Sequence, residues 1–136
     1  MTRLPAPLAC LSAALLAACV TGSGPYDRPY SIVEPHGRTP TEDQRPAFVL
    51  AIDGRSRDIR DRAPVAPGMH RVELSIPGPP GLSSPEQVTL EMDLKPCMRY
   101  RMGATRSDFG ARDWKPTIVE TEPIGECLRK FPDVKP

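Results

Sequence analysis

Beyond Pro46 the chain alternates between short apolar stretches and turn residues. Phe48-Val49-Leu50-Ala51-Ile52 is continuously apolar and runs into Asp53-Gly54, the pattern of a buried strand closed by a tight hairpin turn. Residues 55–62 (RSRDIRDR) are nearly all charged, with Ile59 the single apolar side chain. Pro67-Gly68 is a second turn signal, because proline presets φ at the first turn position and glycine accepts positive φ at the next. From His70 to Ile76 the pattern alternates, with Val72, Leu74 and Ile76 on one face and Arg71, Glu73 and Ser75 on the other. After a proline-rich loop at 77–86, alternation resumes over Gln87 to Leu94, with Val88, Leu90, Met92 and Leu94 inward. Lys95-Pro96 turns the chain, and Met98, Tyr100, Met102 and Ala104 form one face of a returning strand. Residues 105–113 read as loop, and a last strand lies around Ile118-Val119 within 114–121. No window of ten or more residues in this body has good helical spacing. The pattern predicts an all-β fold, a small antiparallel β-sandwich of five or six short strands.

The residues upstream are different in kind. Residues 1–7 carry one charged side chain, Arg3, and residues 8–18 (LACLSAALLAA) are apolar, too short to span a bilayer but the length of a signal-peptide core. The stretch ends Leu16-Ala17-Ala18-Cys19. At all four positions this resembles the lipobox of bacterial lipoproteins, a resemblance that implies cleavage before Cys19 and a diacylglycerol on its thiol. Two or more acyl chains give stable membrane anchoring where one gives only marginal binding. In enterobacterial lipoproteins an Asp after the cysteine marks inner-membrane retention; Val20 stands there instead, which implies the periplasmic face of the outer membrane. Residues 20–46 show no sustained period and are rich in Gly, Pro, Ser, Thr and charge. They read as a tether, ~25–30 Å long as a flexible coil. The alternative is that Tyr26, Tyr30 and Ile32-Val33 lie along the body as an extra edge strand. The expected organisation is thus a signal peptide (1–18), a lipidated cysteine and flexible linker (19–46), the sandwich (47–128) and a C-terminal tail (129–136).

Composition sharpens this picture in three ways. The 18 prolines disfavour helices, since each lacks an N–H and clashes with the preceding turn. Without Arg3 the 18 Lys+Arg become 17, equal to the 17 Asp+Glu, and a neutral chain gives no case for nucleic-acid binding. Of the four cysteines, Cys10 leaves with the signal and Cys19 is lipidated, so Cys97 and Cys127 remain. In an oxidising envelope such a pair most simply forms a disulfide, here fastening the tail to the sheet.

Candidate chemistry is sparse. His36 and His70 stand in unrelated contexts with no clustered Cys, Asp or Glu at ligand spacing, so no metal and no cofactor is expected. No nucleophile elbow, phosphate-binding loop or dinucleotide fingerprint occurs. Asp53, Asp58, Asp61, Asp108 and Asp113 sit where turns call for Asp, so no catalytic residue is assigned. Arg55, Arg57, Arg60 and Arg62 form the one anion-binding candidate, matched to the carboxylates or phosphates of peptidoglycan or lipopolysaccharide, although Asp58 and Asp61 interleave with them. Trp114, the only tryptophan, reads as a core cover before a binding aromatic.

The stretch 46–76 resembles PEGA-type repeats: Ile52-Asp53-Gly54 and then Ala66-Pro67-Gly68-Met69-His70-Arg71-Val72-Glu73-Leu74 match in order and spacing, although Pro-Glu-Gly-Ala itself is absent. Residues 87–121 are similar to the later strands of transthyretin-like sandwiches. Both resemblances imply a non-enzymatic envelope β-module. The expectation is a membrane-anchored binding or assembly accessory with an envelope protein, peptidoglycan or lipopolysaccharide as partner. The alternatives are an envelope hydrolase or redox factor, and a purely structural lipoprotein.

Overall fold

The structure, a computed structural model, describes residues 24–37, 41, 43–59, 61–79, 81, 84–106 and 113–136. Lipobox residues 16–19 and Arg60 lie outside them. Among the described residues eight strands and one short helix follow in order: β1 (Ile32–Pro35), β2 (Gln44–Pro46), β3 (Phe48–Ile52), β4 (Arg55–Ser56), β5 (Gly68–Ile76), β6 (Glu86–Leu94), β7 (Met98–Thr105), β8 (Lys115–Pro123) and α1 (Gly125–Lys130). They form a small all-β sandwich of two sheets.

The first sheet has the order β4-β3-β5-β6 and is antiparallel throughout. The alternation over 70–76 and 87–94 places Val72, Leu74, Ile76, Met92 and Leu94 in the core, all buried. The unbroken apolar run of β3 is resolved by a bulge at Leu50. Val49 faces Leu74 and Ile52 faces Val72, so two residues three apart share the inner face, which a regular pleat forbids. Asp53 and Gly54 join β3 to β4 with φ of 51° and 74°. Both values are positive, as a type I′ hairpin turn requires.

Asp53 also closes the β3–β5 end of this sheet. Its Oδ1 accepts the Arg71 backbone N–H at 2.9 Å and its Oδ2 lies 2.7 Å from His70 Nδ1. The Arg71 N–H, then His70, hold the Asp53 carboxyl below its ordinary 3.8. A carboxyl lowered in the fold contributes stability that is complete above its unfolded pKa and is lost as pH falls through the folded value. Asn tolerates the left-handed backbone that Asp53 adopts. Asp53→Asn is therefore expected to lower Tm at neutral pH and to flatten the loss of Tm as pH falls below about 4, followed by circular dichroism.

The second sheet is built on β7. β8 pairs antiparallel along its whole length, Met98 to Thr105. The other edge is shared end to end by β1, parallel to Arg99–Met102, and β2, antiparallel to Gly103–Thr105. Where they meet, the Met102 carbonyl accepts both the His36 N–H at 2.8 Å and the Ala47 N–H at 3.2 Å. Gly103 lies at this crowded point. A Cβ there would overlap Val119 Cγ2 and come within 3.0 Å of the Arg45 carbonyl oxygen. Gly103→Ala is expected to cost about 1–3 kcal/mol by overpacking. Adding Val119→Ala should recover part of that in urea denaturation.

The small all-β sandwich is as expected; among the described residues it has eight strands where five or six were read, and β1 makes the second sheet mixed. Two expectations are corrected here. The tether expected over 19–46 gives way, in its described part, to folded chain from Gly24 onward, and the edge-strand alternative holds for Ile32-Val33. Tyr30, Ser31, Ile32, Val33, Glu34 and His36 are all buried. The C-terminal tail is not separate either. α1 crosses the expected boundary at 128, and Phe131 and Val134 pack with Leu128 against a small second core of Tyr30, Ile32, Cys97, Ile124 and Cys127.

That second core contains the Cys97–Cys127 disulfide, with Cα atoms 5.3 Å apart. Cys97 sits in the β6–β7 turn after Pro96 at φ 56°, where its N–H donates to the Tyr30 carbonyl at 2.8 Å and its own carbonyl accepts from the Ile124 N–H at 2.7 Å. One turn thus ties the incoming segment, both sheets and α1 together.

Candidate functional site

The outer face of the second sheet carries charge at every other residue. Arg99 and Arg101 point outward from β7; across the antiparallel pair stand Glu122 and Glu120, in register. On the other side Glu34 of β1 is the register partner of Arg101. Glu34 is only 6% exposed, and an ionised carboxylate at that depth requires compensation. Three arginines supply it. Arg62 Nε is 3.1 Å from Glu34 Oε2, Arg101 Nε donates to Oε1 at 3.3 Å, and Arg99 Nε lies 3.6 Å from Oε1.

The rest of the cluster is cross-braced. Arg99 Nη1 donates to Glu122 at 2.5 Å, Arg101 Nη2 donates to Glu122 at 2.9 Å, and Arg101 Nη1 is 3.0 Å from Glu120. The Arg99 guanidinium, with Arg101 beside it, holds the Glu122 carboxyl below the usual range. Glu120, then Glu34 and Glu122, raise Arg101 further. Three carboxylates and three guanidiniums are thus matched on one face.

His36 follows β1 directly and is 6% exposed. Among the described residues its Nδ1 has no hydrogen-bond partner; Glu120 Oε2 lies 4.0 Å away, beyond hydrogen-bond reach. Glu34 Oε2 and Arg99 Nε are likewise buried without an aligned hydrogen bond, although both are in ionic contact. The residues that carry these atoms line a cavity of about 320 Å³ together with Pro35, Gly37, Arg62, Arg101 and Glu120. Its rim residue Arg62 is 76% exposed and reaches in from the 57–64 loop. No family model, curated protein or solved structure matches this chain. The resemblances noted in the sequence therefore rest on their residues alone.

The expected anion site is not one patch among the described residues. Arg55 lies exposed in β4. Arg57 Nη1 donates to the Ala63 carbonyl at 3.0 Å and lies 3.5 Å from Asp61, so it braces its own loop. Arg62 turns away to Glu34. Arg57 and Arg62 diverge because one finds its acceptors inside the loop and the other finds Glu34 on β1. Asp61 in turn accepts the Ala63 N–H at 2.7 Å, the turn role expected of it.

Trp114 packs against the main core, with Arg45 and Arg106 guanidiniums 5.4 and 4.7 Å from its ring centre. Among the described residues, no three His, Cys, Asp or Glu side chains converge to hold a metal ion.

Sequence reasoning passed over Glu34, Arg99, Arg101, Glu120 and Glu122, and weighed His36 only as a metal ligand. One signal for them was present: Arg-x-Arg in one strand followed by Glu-x-Glu in the next, the alternation of two antiparallel neighbours with matched charge. Nothing in the sequence around Glu34 marks it as buried.

Proposed function

We propose that the protein is a lipoprotein anchored through Cys19 in the cell envelope, facing the periplasm from the outer membrane. Its role is non-enzymatic: it binds through the Glu34 cavity as an accessory module. The observation that carries the binding role is the buried His36 Nδ1, without a hydrogen-bond partner among the described residues, on a residue that lines an open cavity walled largely by charge. A purely structural charge network has no use for such an atom, because a buried polar group without a partner costs about 1–3 kcal/mol. Both disulfide sulfurs belong to fully buried residues, which favours a structural bond over a redox role.

The anchor, combined with the fold, gives the module a short leash. The described chain begins at Gly24, whose N–H donates to Asp27 at 2.7 Å, and Lys130 of α1 clamps this segment through the Tyr26 carbonyl and Asp27 at 2.8 and 2.9 Å. Five residue steps from Cys19 span at most about 18 Å. The body therefore lies close to the bilayer, with its α1 end nearest, rather than sampling space at the end of a long tether.

Two measurements test this. Mass spectrometry of the mature protein from membranes should find acylated Cys19 at the N-terminus, and Cys19→Ser should leave an unprocessed, unacylated chain. A photo-cross-linker at Gly37, on the cavity rim, should capture one dominant envelope protein or glycan in intact cells. Recovery of acylated protein with no specific adduct from Gly37 would leave a structural lipoprotein and remove the binding role.

A further inference from the structure

We infer that the Glu34 cavity takes a small zwitterion of the α-amino-acid type, its ammonium on Glu34 and its carboxylate between Arg62 and Arg99. This rests on the proposed binding role and names its ligand class.

The argument is one of charge conservation. The three arginines that line the cavity are already held by Glu34 and Glu120 on its wall and by Glu122 beside it, so a simple anion or cation must break an existing pair. An anion would have to draw Arg99 or Arg101 from glutamates they hold at 2.5 to 3.3 Å. It would strand Glu34, which is 6% exposed, and an uncompensated buried charge is strongly unfavourable. A lone cation could displace Arg62 from Glu34. It would still leave Arg99 Nε, buried and lacking a hydrogen bond, with no acceptor.

A zwitterion avoids both losses. Its ammonium replaces the Arg62 guanidinium at Glu34 Oε2, where the present contact of 3.1 Å is not aligned as a hydrogen bond. Its carboxylate, two bonds away, accepts from the displaced Arg62 and from Arg99 Nε. Arg62 can make this exchange because it is 76% exposed, on a loop, and holds the site through one contact. His36 Nδ1 completes the set. It faces Glu120 across a 4.0 Å gap and supplies one more hydrogen bond to the ligand. A cavity of about 320 Å³ is ample for an amino acid with a short side chain.

The test is titration of the folded domain with L-alanine, followed by NMR of the arginine Nε–H and histidine resonances. N-acetylalanine, which lacks the ammonium, and alaninamide, which lacks the carboxylate, serve as the two half-ligands. Alanine should shift the Arg62, Arg99 and His36 resonances saturably, and each half-ligand should bind at least about tenfold more weakly. Arg62→Ser, which opens Glu34 without removing it, should reverse the order: alaninamide gains about tenfold while alanine loses affinity. Equal binding of N-acetylalanine and alanine overturns the inference. So does Arg62→Ser with unchanged alaninamide affinity, or no saturable shift up to about 100 mM, a hundred times a millimolar Kd. If these fail while Gly37 still captures a specific partner in cells, the binding role stands and only the ligand class is wrong. If both fail, the cavity is a water-filled structural network.

Discussion

Removing the Cys97–Cys127 disulfide is expected to cost about 3–4 kcal/mol, a large share of the stability of a domain this small. The bond closes 30 residues of chain, and the cost of closing that loop in the unfolded state sets the figure. Its placement adds a local consequence. The disulfide pins α1 and the β6–β7 turn over Tyr30 and Ile32, so the reduced protein should loosen this second core first. Hydrogen exchange should then show the Leu128 and Phe131 amides, bonded to the Ile124 and Cys127 carbonyls, losing protection before those of β5 and β6. The doubly substituted Cys97→Ala/Cys127→Ala protein should match the reduced wild type in urea. Cys97→Gly/Cys127→Ala should be more stable than it by about 1 kcal/mol, because position 97 has φ of 56° and an L side chain is strained there. Equal stability of the two variants would show that the turn relaxes once the bond is gone.

Replacing Glu34 carries the second large effect. Glu34→Ala removes the carboxylate against which Arg62, Arg99 and Arg101 converge, and leaves two partly buried guanidiniums with less compensation. Breaking a fully buried pair costs roughly 3–5 kcal/mol. Arg99 and Arg101 keep 29% and 25% of their side-chain surface in water, so about 2–3 kcal/mol is the discounted expectation. Arg62→Ser removes only an exposed partner and should cost less than about 1 kcal/mol. The contrast between the two in thermal denaturation separates the buried carboxylate from its exposed cover. Comparable losses would mean that Arg62, rather than Arg99 and Arg101, carries the compensation.

Much of the first sheet was legible because its residues obey a period of two. Val72, Leu74 and Ile76, like Met92 and Leu94, face one core and their neighbours face water. The turn residues Asp53-Gly54 fix the hairpin register through backbone dihedrals that few residues accept. The bulge at Leu50 was not legible. A continuous apolar run satisfies a strand buried on either face, and only the pairing of Val49 with Leu74 and Ile52 with Val72 selects one.

The site itself stayed hidden for a related reason. β1 is covered on both faces, by the main core at Val33 and by the disulfide, α1 and the arginines at Ile32 and Glu34, so it has no alternation to read. Its residues Tyr30 to His36 mix polar and apolar side chains in an order that looks like linker. The arginine-rich loop, conspicuous in the chain, does not act as one patch among its described residues, because Arg57 and Arg62 find different acceptors in three dimensions.

The sequence by itself determined the all-β class, most turn positions, and the pairing of the two cysteines left once Cys10 and Cys19 are set aside. These follow from local rules: side-chain period, φ preference and the tendency of two remaining thiols to pair. Only the tertiary structure decided that the segment before Pro46 belongs to the second sheet. It alone brought Glu34, His36, Arg62, Arg99, Arg101 and Glu120 to one cavity. Those six residues come from β1, the chain just after it, a loop, β7 and β8, and charge compensation between segments so distant in the chain leaves no local trace.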